Sequence, residues 1–227
     1  MPDLHTRLGQ LSALAEPVRR ELYAFVVARR EPVTREQAAA GLDVPVHVAK
    51  FHLDRLVEDG LLDAEYRRPP GRGGPGAGRP AKVYRRSGLE VEVSLPERRY
   101  AVAGRVLVKA VAYAEREGVP IAEALEQVAV DAGHEAGAVA ARRARRRSAT
   151  KTLIDTLVDE GYEPYGEGGG IRLANCPFDA LARDETELVC GMNLCFLSGV
   201  LDGVGADGLS AELDPRPGQC CVNIRKV

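Results

Sequence analysis

Cysteine is absent before Cys176 and histidine is absent after His134 in this chain of 227 residues. The start lacks the basic-then-apolar signature of a secretory signal, and no apolar run reads as long enough to span a bilayer, so a cytoplasmic location without a membrane partner is expected. Thiols stay reduced in that compartment. Five cysteines, an odd number, bunched at 176, 190, 195, 220 and 221, then argue against a disulfide framework and for metal binding, redox chemistry or simple burial. The same segment lacks both the CxxC knuckles and the histidines of common zinc sites, which disfavours a mixed Cys/His zinc centre. A catalytic Cys190 or Cys195 would need a partner histidine that this segment does not contain, so the chain does not read as an enzyme.

A net charge of -2 would discourage a nucleic-acid partner if the charges were evenly mixed, but they are not. Residues 1–90 carry fifteen Lys/Arg against twelve Asp/Glu, whereas residues 150–227 carry six against thirteen. From Tyr66 to Arg86 there are seven basic residues and no acidic one, a local footprint for phosphates.

Upstream of that run, short helices are predicted. Leu8, Leu11, Leu14 and Ala15 share a helical face; Pro17 suits a first helical turn, followed by Val18, Leu22, Phe25 and Val26 at helical spacing. Thr34 and Gln37 form a capping box for a helix through Ala40 that Gly41 closes. Pro45 then starts a helix with Ala49, Leu53, Leu56 and Val57 inward, ended by Gly60. Two short helices around a tight turn make a helix-turn-helix, whose second helix enters the major groove of double-stranded DNA. Its outward residues Val46, His47, Lys50, Phe51 and Arg55 are the candidate base and phosphate contacts, while His52 is expected to pack. Residues 61–68 and 81–86 read as a hairpin whose Gly- and Pro-rich connection forms a wing. Arg67, Arg68, Arg72, Arg79 and Lys82 are its candidate DNA contacts.

Past Leu95-Pro96 two long helices are predicted, broken at Gly118-Val119-Pro120. The first is apolar over more than half its girth, and the second has Leu125, Val128, Ala132 and Val139 at near-heptad spacing with small residues Gly133 and Gly137. Surplus apolar surface of this kind predicts a homodimer interface, matching two-fold operators. The last segment alternates short strands with a helix over about 186–204, giving a small antiparallel sheet packed on helices. The class is therefore α+β, in three parts: a winged helix-turn-helix over 1–90, a helical dimerisation region over 91–148 and a cysteine-containing sensor over 149–227.

Cys190 and Cys195 fall roughly 140° apart around a helix, so one small centre should not use both. Neighbouring strand residues Cys220 and Cys221 should point to opposite faces. Cys176, Cys190 and Cys220, from three separate elements, form the economical ligand set. Thiolate-rich ligation without histidine suits an iron–sulfur cluster, with Cys221, Cys195, an oxygen ligand or an exogenous thiol at the fourth site. Structural cysteines beside a pocket for an apolar metabolite are the competing reading.

The run His52-Leu53-Asp54-Arg55-Leu56-Val57-Glu58-Asp59-Gly60-Leu61, the wing's Gly78-Arg79-Pro80-Ala81-Lys82-Val83-Tyr84, the Cys176-Pro177-Phe178 segment and the terminal Cys220-Cys221-Val222 resemble ArsR-like winged-helix regulators. More narrowly they are similar to the SufR group, repressors of iron–sulfur assembly genes that carry a 4Fe-4S cluster. That resemblance implies a cluster-controlled repressor with Cys176, Cys190 and Cys220 as cluster ligands.

Overall fold

A computed structural model describes residues 4–67, 80–144 and 147–227. It divides between Val93 and Ser94 into two compact units.

The N-terminal unit holds α1 (Leu4–Ala13), α2 (Pro17–Val27), β1 (Val33–Thr34), α3 (Arg35–Leu42), α4 (Val46–Glu58), β2 (Leu62–Arg67) and β3 (Ala81–Arg86). Pro17 opens α2, where its missing N–H costs nothing, and Glu16 caps that end through the amides of Val18 and Arg19. The predicted capping box is formed: Gln37 N donates to Thr34 Oγ1 at 3.2 Å and Thr34 N to Gln37 Oε1 at 2.9 Å. Gly41 does not close α3. It lies inside the helix, where a Cβ would stand 2.1 Å from the Phe25 ring, and Asp43 takes the left-handed cap instead. Leu22, Ala49, Leu53 and Leu56 form the centre of this core. The face expected for α1 is turned the other way: Leu8 and Leu11 are exposed, because the helix buries Arg7, which donates to the Glu92 carbonyl, and Ala13. The β2–β3 hairpin is antiparallel in the expected register, and β1 adds a third strand on β3.

The second unit contains α5 (Tyr100–Glu117), α6 (Ile121–Ala144), α7 (Ala149–Asp159), β4 (Pro164–Glu167), β5 (Gly170–Leu173), α8 (Asp179–Asp184), α9 (Thr186–Val204), β6 (Leu209–Leu213) and β7 (Val222–Lys226). Its strands form an antiparallel sheet in the order β4-β5-β7-β6. No division falls near residue 148. The apolar face of α6 assigned to a partner subunit is instead covered by α9 of the same chain, with Leu125 and Val128 buried beside Phe196 and Val200. Glycines make that pairing possible: a Cβ at Gly133 would lie 1.9 Å from the Phe196 carbonyl oxygen, and one at Gly199 would lie 2.1 Å from that of Val130. Contrary to expectation, α9 is long and apolar enough to cross a membrane by length and composition. Its apolar residues, Val189 through Val204, instead supply the centre of the unit's core.

Candidate DNA interface and cysteine site

The recognition helix α4 presents His47, Lys50, Phe51 and Arg55 along one concave surface, joined by Arg19 from α2, Asp54 and Glu58. Phe51 is 64% exposed, a large apolar ring held in water next to Lys50, and Val46 stands exposed in the first turn. His52 is tucked against α2, 3.5 Å from Glu16, as expected of a packing histidine. Arg19 was not foreseen. Its place in the first turn of a helix opened by Pro17 was the available signal.

Charged candidates differ in how firmly they are held. Arg55 pairs with Glu58 at 3.2 Å and Asp59 at 3.4 Å, and Arg67 with Glu65 at 2.5 Å, all partly exposed pairs that contribute little to stability. Lys50 and Lys82 both turn toward Asp54, at 2.9 and 2.6 Å. Tyr84, fully buried on β3, donates its hydroxyl to the same carboxylate at 2.8 Å. Burial raises the Asp54 pKa, but hydrogen bonds from Lys82, Lys50 and Tyr84 outweigh it and hold it at about 2. Burial and the Asp54 bond raise Tyr84. The wing candidates Arg68, Arg72 and Arg79 lie outside the described residues.

In the second unit, Cys176 follows β5, Cys190 lies in the first turns of α9, and Cys220 and Cys221 occupy the bend before β7. They act on one another in two pairs: Cys220 shifts the titration of Cys176, and Cys221 that of Cys190. Because Cys220 and Cys221 precede the strand, strand alternation does not separate them, and each thiol acts on another cysteine. Cys195 stands apart: burial and then the charge of Glu126 on α6 raise its pKa.

Within the first pair, the hydrogen bond from Cys220 lowers Cys176, helped by the Phe178 amide and the nearby Arg98 charge, while that bond and burial raise Cys220. Cys190 is pushed up to about 12 by burial and then by Cys221. Two N–H groups are aimed at the Cys220 sulfur: Asn193 Nδ2 at 3.2 Å and Val222 N at 3.5 Å. Asn193 is fixed in turn by the buried Tyr162 hydroxyl. Among the described residues, no three His, Cys, Asp or Glu side chains form a group able to hold a metal ion.

The bend is braced from both sides. Arg172, 3% exposed at its side chain, holds Asp214 through side chain and carbonyl, and Asp214 N donates to the Cys221 carbonyl at 2.8 Å. On the other side, Arg98 Nη1 donates to the Cys176 carbonyl at 2.5 Å and Arg99 N to that of Pro177 at 3.0 Å. Arg98 and Arg99 lie a few residues past the Val93/Ser94 boundary, so the first segment of the second unit is fastened to the cysteine loop.

Residues 14–65 match the family model described as a helix-turn-helix domain. Comparison of the chain with curated proteins and with solved structures finds no match. The matched segment runs through α2 and α4 into β2, so the capping box of α3 and the helix α4 that follows it belong to a helix-turn-helix domain, the module of DNA-binding transcription regulators.

Proposed function

We propose that the chain is a homodimeric winged-helix transcriptional repressor whose operator affinity is set by an iron–sulfur cluster of the 4Fe-4S type, as in the SufR group. The observation that carries this reading is that two thiol pairs drawn from three elements, Cys176 with Cys220 and Cys190 with Cys221, shift each other's titration, with Cys195 left out. Cys176, Cys190 and Cys220 are the proposed ligands, and Cys221, beside Cys190, is the fourth. The donor set fits such a cluster: thiols alone, with amide N–H groups on the Cys220 sulfur of the kind that tune these centres.

When bound, the cluster supplies a cross-link among three segments that depends on iron supply and oxidation. Arg98 gives the chain a route from that cross-link to DNA. It grips the Cys176 carbonyl and, at 3.6 Å, Asp179, so a shift of the Cys176 loop pulls on the segment that leads to the DNA-binding unit. Such a shift biases an equilibrium between states of different operator affinity. Exposed Val108 and Val111, on one stripe of α5 with Ala101 and Gly104, support the dimer.

Anaerobic purification with iron and sulfide analysis and a visible spectrum tests the reading. Ser at 176, 190, 220 or 221 should each lower iron per protomer and bleach the charge-transfer band, while Cys195→Ser keeps both. Full retention in Cys176→Ser and Cys220→Ser would overturn it.

A further inference from the structure

Asp54 is out of place on a surface meant for phosphates. It sits on the recognition helix one turn after Lys50, within the same concave surface as Phe51 and Arg55, where a carboxylate alone would repel DNA. Its neighbours give it another use. One oxygen accepts from Lys82 Nζ at 2.6 Å and from Tyr84 OH at 2.8 Å, and the other takes Lys50 Nζ at 2.9 Å. Lys82 and Tyr84 are alternate residues of β3, so they share a face of the strand, and the Lys82 ammonium lies 5.3 Å from the centre of the Tyr84 ring.

We propose that Asp54 is a positioning residue for sequence recognition, tying the recognition helix to the base of the wing hairpin and aiming Lys50. The proposal rests on the DNA-binding reading of the N-terminal unit but not on any cluster. Two lysines around one carboxylate leave the group with a net positive charge, so the tie keeps the surface attractive to DNA while fixing the helix and β3 relative to each other. Tyr84 adds rigidity, because its buried hydroxyl has the Asp54 oxygen as its acceptor.

A charge role and a positioning role predict opposite results. If Asp54 acted only through charge, its removal would tighten binding to every duplex and leave sequence preference unchanged. A positioning role predicts that preference is lost while binding to arbitrary DNA is kept or strengthened. The experiment selects duplexes from a random pool with the full-length wild-type protein. It then measures affinity by fluorescence anisotropy for one selected and one unselected duplex, using wild type, Asp54→Asn, Asp54→Ala and Tyr84→Phe. Asp54→Ala should lower the selected-to-unselected affinity ratio by about tenfold, the scale of one lost base contact. Asp54→Asn, which keeps an acceptor for Tyr84 but not the charge that holds Lys50, should fall between. Tyr84→Phe keeps the packed ring and should lower the ratio without weakening unselected binding, which keeps the test open should Asp54→Ala not fold. An unchanged ratio in all three variants, or a proportional loss on both duplexes, would overturn the proposal. Failure of the wild-type protein to enrich any duplex would remove the DNA reading itself and the role of Asp54 with it.

Discussion

Replacing Gly133 by Ala should separate α6 from α9 and weaken the unit that carries all five cysteines. The added methyl would stand 1.9 Å from the Phe196 carbonyl oxygen and 2.8 Å from its carbon, both backbone atoms that no rotamer change can move. Relief requires the helices to part by roughly 1 Å, and a gap of that size forfeits about a quarter to a half of each dispersion contact across it. Overpacking of this kind costs about 3 kcal/mol. Ala gains about 1 kcal/mol over Gly in a helix, leaving a net loss of about 2 kcal/mol. Gly191→Ala is the control, since a Cβ at that position of α9 meets nothing within 4 Å and should be neutral or mildly stabilising. Urea unfolding followed by far-UV circular dichroism reads the difference: with a slope of about 2 kcal/mol per molar, the midpoint of Gly133→Ala should fall by about 1 M. Equal midpoints for the two variants would show that the α6–α9 approach is looser than described and that its four glycines are incidental.

Acid should loosen the N-terminal unit through Asp54. Its pKa of about 2 lies below the ordinary 3.8, so its stabilisation is complete above the ordinary value and is lost as pH falls through that interval. With the side chain 26% exposed and solvent screening the pairs, the contribution is about 1 kcal/mol. Urea midpoints of wild type and Asp54→Asn should therefore converge on acidification, and a constant difference would contradict the assignment. Glu at both Val108 and Val111 should turn a dimer into a monomer in sedimentation at micromolar concentration, and a dimer that survives both would move the interface away from α5.

Elements marked by local chemistry were legible in the sequence. The capping box at Thr34, the Gly118–Pro120 break and the bounds of α9 are written in residues that act within a turn or two of themselves. Partnership was not. The apolar face and small residues of α6 announce a close neighbour, but nothing local says whether that neighbour is another copy or α9, because the matching Gly199 and Gly203 lie more than sixty residues away. The same limit hid Asp54. Its spacing from Lys50 was visible as an i,i+4 pair, whereas its bonds to Lys82 and Tyr84 depend on how β3 packs. For the cysteines, helix geometry separated Cys190 from Cys195, but Cys221 joins the group because the chain bends before β7 begins.

In the proposed repressor the state of the cysteine group sets the affinity for DNA. Its most direct test is the affinity of one protein preparation for a selected duplex, measured anaerobically as purified and again after iron is stripped by a chelator. Iron and sulfide should be present, and the two affinities should differ by about tenfold or more, within the usual range of coupling between sites. Equal affinities in a preparation that contains the cluster would contradict it.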